Sequence, residues 1–155
     1  MTEFVFGPYR LEVDVEATRA YYAAHPLPAV TCDCAGCRNF VKAVGSLPQP
    51  VRDFFDQLGL DPEKPHELCY YDGTPETLCG DGWYHLVGRI LEGDSEPQGR
   101  EVFPFGWYAL AEGDSVAFKT GCEHLPEDFP RPCFQMEFDH VLPWVLEEPD
   151  PYISK

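Results

Sequence analysis

Positive charge is scarce in this sequence. It has 11 Lys and Arg against 27 Asp and Glu, a formal net charge of −16. Such a surface repels phosphate backbones and anionic lipid, so neither nucleic acid nor a membrane surface is an expected partner. A basic protein is the partner class that this charge suits. Apolar runs are also short, and none reaches the roughly 18 residues needed to cross a bilayer as a helix. The opening MTEFVFGPYR lacks a basic region followed by an apolar one, so no signal peptide is expected. The expected home is the cytoplasm, where thiols stay reduced. Catalytic signatures are missing as well: there is no Gly-rich phosphate loop, no G-x-S-x-G and no H-E-x-x-H. No linker-like stretch interrupts the chain, and its 16 prolines are spread along it. A single domain over 1–155 follows, long enough to bury an ordinary core.

What the chain does have is aromatic residues, 11 Phe, 8 Tyr and 3 Trp, which favour a β-rich core. Tyr9, Leu11, Val13 and Val15 alternate with Arg10, Glu12 and Asp14, the pattern of a half-buried strand. A short helix is expected from Glu16 to Ala24, stopped by Pro26. Cys37, Phe40, Val41 and Val44 fall on one helical face, with Gly45 where a C-cap would sit. A third helix opens at Pro50, carries Val51, Phe54, Phe55 and Leu58 as its stripe, and ends at Gly59.

From Glu67 onward the pattern turns to strands. Leu68–Tyr71 is short, whereas Trp83–Leu91 is apolar on both faces and reads as a central strand. Phe105–Ala111 and Ser115–Thr120 flank Glu112-Gly113-Asp114, a hairpin signal. The tetrapeptide EGDS occurs at Glu92–Ser95 and again at Glu112–Ser115, as turn chemistry and not as a repeat. Phe134, Met136 and Phe138 alternate with polar neighbours in a last strand, and LPWVLEEPDPYISK closes the chain as a tail anchored by Trp144. Helices first and strands later predict an α+β fold: an antiparallel sheet of about five or six strands, with two or three N-terminal helices packed on one face.

The densest chemistry lies in TCDCAGCRNF, where Cys32, Cys34 and Cys37 stand within six residues. Thiolate is a preferred zinc donor, and C-x-x-C lets two sulfurs reach one ion from a tight turn. A structural zinc needs a fourth ligand. Cys122 is the choice here, with His124, His66, Cys69 and Cys79 as further options, because no second C-x-x-C exists. The same residues allow redox chemistry, since Cys34 and Cys37 lie at a helix entrance whose amides favour thiolate. The preceding HPLPAVT is not the buried parallel strand that a thioredoxin-like fold would place there. Burial alone also accounts for Cys37, which shares the face of Phe40, Val41 and Val44.

Other constellations are weaker. His85, in Trp83-Tyr84-His85, could act as a general base, but no nucleophile or orienting carboxylate stands beside it in the sequence. Cys122-Glu123-His124 offers a nucleophile and a base on neighbouring residues, whose side chains point apart on a strand or turn. Glu147-Glu148 and Glu127-Asp128 read as solvated surface.

The stretches CDCAGCRNF (32–40), GWYHLVGRILEG (82–93), EDFPRPCFQMEF (127–138) and LPWVL (142–146) together resemble a small family of single-domain bacterial proteins with a CxCxxCxNF motif. No activity attaches to that family, so the resemblance implies a free-standing bacterial domain and contributes no catalytic residues.

These observations point to a small acidic cytosolic binding protein with no catalytic residue assigned. Its one candidate site is Cys32, Cys34, Cys37 and Cys122 around a structural zinc. Two alternatives stay open: an immunity- or inhibitor-type protein that blocks a basic partner, and a thiol oxidoreductase using Cys34 and Cys37.

Overall fold

The computed structural model describes residues 1–26, 32–94 and 106–153. The chain opens with two strands, β1 (Thr2–Phe6) and β2 (Tyr9–Val13). Three helices follow: α1 (Val15–Ala24), α2 (Ala35–Ala43) and α3 (Gln49–Leu58). The rest is sheet: β3 (Glu67–Gly73), β4 (Thr77–Glu92), β5 (Tyr108–Ala111), β6 (Asp114–Lys119) and β7 (Cys133–Pro143). The strands form one seven-stranded sheet in the order β1-β2-β4-β7-β6-β5, with β3 also paired to β4, and every paired strand is antiparallel. The α+β class therefore stands. Two details of the expectation are corrected: the sheet has seven strands, not five or six, and a β-hairpin precedes the helices, which are thus not N-terminal. The additional strand, β1, is an edge strand with Val5 68% exposed, so its sequence lacks the buried alternation that marks β2.

β4 is the spine. Its residues Thr77–Val87 pair with β7 on one side. On the other side it pairs with β3 through Leu78–Trp83 and with β2 through Gly88–Glu92. Between those two partners a strip of β4 edge has no strand beside it. Buried backbone groups need partners, and α1 supplies them. The Val87 amide donates to Thr18 Oγ1 at 3.1 Å, and the Asp14 amide donates to the Val87 carbonyl at 2.8 Å. The Tyr22 hydroxyl takes a hydrogen bond from the His85 amide and gives one to the His85 carbonyl, each at 3.0 Å. The His66 amide closes the strip on the Trp83 carbonyl at 2.8 Å. Thr18 and Tyr22 are accordingly buried although polar.

The strand expected to reach Val15 stops at Val13 because Asp14 becomes the N-cap of α1, its carboxylate accepting from the Ala17 amide at 3.0 Å. α2 buries Cys37 and Phe40, and Val44 just beyond it, but leaves Val41 64% exposed. Gly45 is not a left-handed cap: α2 ends at Ala43 and runs into a short 3₁₀ turn, Val44–Ser46. α3 begins at Gln49 with Pro50 in its first turn and ends on Gly59 in the left-handed conformation, φ 82°. Its stripe Val51, Phe54, Phe55 and Leu58 is buried as the spacing predicts. Phe55 packs edge-on against Tyr84 and Phe138, both at 5.0 Å, and so seats the helices on one face of the sheet. No helix among the described residues is long and apolar enough to cross a membrane. Phe105, residues 95, 27–31 and 154–155, which carry parts of the expected hairpin, turn, helix entrance and tail, lie outside the described residues.

Thr18→Val keeps the shape of the side chain but leaves the Val87 amide unpaired. It is expected to cost about 1–3 kcal/mol in urea unfolding. An unchanged midpoint would mean that β4 does not need this hydroxyl.

Candidate metal centre

Cys32, Cys34 and Cys37 converge. Their three sulfurs all lie within 4.8 Å of one another, the one such group among the described residues. Two sulfurs on a tetrahedral zinc stand about 3.8 Å apart, given Zn–S bonds of about 2.3 Å. Small side-chain rotations therefore separate the observed group from a coordinating one. The convergence follows from local structure. Cys34 is the N-cap of α2, with extended backbone, and its sulfur accepts from the Cys37 amide at 3.4 Å. The Cys34 amide in turn donates to the Cys32 sulfur at 3.4 Å. The three thiols grade from exposed at Cys32 to buried at Cys37.

Distant segments complete the surroundings. Tyr70, on β3, lays its ring over the first turn of α2, where a Cβ added at Gly36 would stand 2.5 Å from two ring atoms. The Tyr70 hydroxyl is buried with no hydrogen-bond partner. From the C-terminal tail, the Tyr152 hydroxyl lies against the same turn, 3.1 Å from where a Cβ at Gly36 would stand, and favours the Cys34 thiolate. Asn39 of α2 clamps the start of that tail, donating to the Pro143 carbonyl at 3.1 Å and accepting from the Val145 amide at 2.8 Å. Arg38 forms a bidentate pair with Glu148 further along the same tail. A small cavity of about 30 Å³, close to the volume share of one water, lies between Cys32, Cys37, Phe40, Glu63, Pro65 and Leu68.

This setting separates the thiols chemically. Partial burial pushes the Cys34 thiol up. The Cys37 amide, the Cys32 and Cys37 thiols and the Tyr152 hydroxyl all favour its thiolate, and the net result is a thiol held down at about 7. Cys37 moves the other way, pushed up by burial and then by its hydrogen bonds with Cys34 and Cys32. The group thus offers one sulfur near neutrality that is ready to ligate. Cys37 would have to be deprotonated by the ion itself.

Cys122, the expected fourth ligand, is not in this group. Its sulfur instead faces that of Cys133 at 4.0 Å. The register explains the correction. Lys119 opposes Gln135 where β6 and β7 pair, so the residues just past β6 lie beside the start of β7 and away from α2. His66, Cys69, Cys79 and His124 are likewise outside the thiol group. Among the residues around the site, Gly36, Asn39, Tyr70 and Tyr152 escaped sequence reasoning. Only Asn39 carried a signal, as a polar residue ill-suited to a helix interior.

The opposite face of the sheet is polar. His85 is fully buried, its Nε2 3.1 Å from Gln135 Oε1 and its Nδ1 3.2 Å from His66 Nδ1. Gln135 Oε1 already accepts from the Glu123 amide at 2.7 Å, so His85 Nε2 carries the proton and His85 Nδ1 accepts from His66. Burial pushes His85 down to about 4 and His66 to about 3, so both rings are neutral. With both nitrogens engaged, His85 holds strands together and is not placed to act as a base. Cys122 and His124 point apart, the latter stacked on Trp83 at 5.9 Å. Further along this face Asp81 sits opposite Asp139 and beside Glu137. Asp81 Oδ1 has no hydrogen-bond partner among the described residues, and protonation would let the Asp81 carboxyl donate to Glu137. Burial, then that hydrogen bond and the charges of Glu137 and Asp139, push Asp81 up from 3.8 to about 10, against the pull of Lys119.

No protein-family model, no curated protein and no solved structure matches this chain.

Two outcomes test this geometry. On helix propensity alone, Gly36→Ala should stabilise α2 by up to about 1 kcal/mol. The Tyr70 ring has little room to retreat, because its other edge packs on the backbone of Gly80, so closely that a Cβ there would stand 2.8 Å from it. The variant is therefore expected to lose about 1–3 kcal/mol in denaturant unfolding. The second concerns pH. Asp81 has a folded pKa above its unfolded one, so its stabilising contribution is complete below about pH 4 and is lost as pH rises through about 10. Asp81→Asn keeps a donor toward Glu137 without the titration. Between about pH 5 and pH 9 the variant should gain stability steadily relative to the parent. Parallel curves of stability against pH would show that Asp81 is ionised throughout.

Proposed function

We propose that this chain is a metal-stabilised binding protein in which Cys32, Cys34 and Cys37 hold a thiophilic divalent ion, zinc being the best fit to a thiolate donor set. The observation that carries the reading is the convergence of three sulfurs, where burial or a dithiol couple would require at most two. The fourth position falls to Glu63, which lines the small cavity with Cys32 and Cys37, or to a water. The ion would fix the entrance of α2, the surface on which β3 packs through Tyr70 and the tail through Tyr152. Its role is structural, and the acidic surface, with a net charge of −16, is the binding surface, matched to a basic protein. That pairing covers the immunity- or inhibitor-type reading as a special case.

A second reading rests on a separate observation. Cys34 caps α2, and Cys37 lies buried three residues on, an arrangement that also suits a dithiol which opens and closes as a disulfide. It leaves Cys32 without a role.

One experiment decides between them. Protein purified without chelator or affinity metal is expected to carry about one zinc per chain, and a chelator should release three thiols together and lower the unfolding midpoint. Cys37→Ser should abolish stoichiometric metal. Metal-free protein in which Cys34 alone alkylates fast, and which forms a reversible Cys34–Cys37 disulfide, would sink the zinc reading in favour of the redox one.

A further inference from the structure

The cysteine that sequence reasoning assigned to the metal has a partner of its own. Cys133 opens β7 and Cys122 follows β6, so both lie just past the last pairing of those strands, Lys119 against Gln135. Their sulfurs are 4.0 Å apart and both side chains are half-buried. The segment between them, 123–132, covers the polar face of the sheet. At its start the Glu123 amide donates to Gln135 and the Glu123 carbonyl accepts from Trp83 Nε1 at 3.1 Å. Further on, Asp128 accepts from the Tyr21 hydroxyl at 3.1 Å, and Phe129 packs against His85 at 5.8 Å and Tyr21 at 4.6 Å. The two thiols stand at the neck of this loop. Among the described residues Cys69 and Cys79, which flank Asp81 on β3 and β4, make no comparable sulfur contact.

We propose that Cys122 and Cys133 are a redox-modification site, closing an intrachain disulfide across the neck of the 123–132 loop. The oxidant is a small-molecule disulfide such as glutathione disulfide. One protein thiolate attacks a sulfur of the oxidant, whose S–S bond breaks and releases one thiol. The second protein thiolate then attacks the protein sulfur of the mixed disulfide and expels the other thiol. Two protein S–H bonds are lost and one S–S bond forms, while the oxidant takes both electrons and both protons as two thiols. The sulfurs must close from 4.0 Å to about 2.05 Å, within reach of side-chain rotation at a loop end. Burial, then the neighbouring Cys133 thiol, push Cys122 up to about 12, while Arg131 and Lys119 pull it back. Exchange is therefore slow at neutral pH and faster in mild alkali. Once closed, the bond pins Glu123 and Phe129 over His85 and Gln135.

The test uses the full chain, folded and as purified, incubated with glutathione disulfide, quenched by alkylation and mapped without reduction. The expected product is one cross-linked peptide pair joining Cys122 to Cys133, two hydrogens lighter than the reduced pair and reversed by dithiothreitol. In Cys122→Ser, Cys133 should instead be recovered as a mixed disulfide with glutathione. Three results would overturn the proposal: glutathione adducts persisting on both cysteines of the parent, both thiols remaining free under mildly alkaline oxidation, or cross-links to other cysteines. The inference is independent of the metal reading. Oxidation of Cys32, Cys34 or Cys37 in the same map would count against zinc there without touching the Cys122–Cys133 result.

Discussion

Everything in this fold depends on how β4 satisfies its backbone. It is 16 residues long, pairs with β7 along one edge, and meets two different strands on the other. The strip between those strands would leave buried amides and carbonyls unpaired, at a cost that a domain with ordinary marginal stability could not carry. α1 fills it with one threonine and one tyrosine hydroxyl. That insertion sets the distance between β2 and β3 along the spine. It also explains why Thr18 and Tyr22 are the two buried residues of a helix whose other side chains are half-buried or exposed.

The thiol centre is a consequence of that placement. β3 lies where α1 ends its cover, and from β3 Tyr70 reaches under the entrance of α2. Gly36 is the only residue type that admits the ring at that distance. The tail then returns past β3, where Ile153 bridges Gly73, and delivers Tyr152 to Cys34. The sulfurs come from one short stretch, but the tyrosines packed around them come from β3, in the middle of the chain, and from the C-terminal tail. The sheet divides its chemistry between two faces. One is aromatic and carries the helices; the other buries His85 and Gln135 beneath the 123–132 loop, with Asp81 further along it. Acidity therefore has two meanings in this chain. Most carboxylates supply surface charge, whereas burial beside Glu137 and Asp139 pushes Asp81 toward its neutral form.

Much of this was legible in the residues. The stripe of α3, the hydrophobic middle of β4 and the alternation of Phe134, Met136 and Phe138 name their elements because each follows from a single period and burial on one side. So does the convergence of Cys32, Cys34 and Cys37, since a helix N-terminus folds three closely spaced residues around its first amides. β1 was not legible, because an edge strand that buries only one or two side chains leaves little pattern. Nor was Val41, which sits at the rim of the apolar stripe and turns to solvent.

The sequence by itself determined the α+β class, the local thiol cluster and the sign of the surface, because these depend on spacing and composition alone. Only the tertiary structure decided which cysteine meets which. Cys122 carried the same ligand chemistry as the other three, but the register of β6 against β7 sends it to Cys133, at the opposite end of β7 from Pro143, where Asn39 of α2 is bonded. The tyrosines beside the thiol cluster and the burial of Asp81 among other carboxylates were decided the same way. Each depends on which groups burial brings together, and no single stretch of chain contains that information.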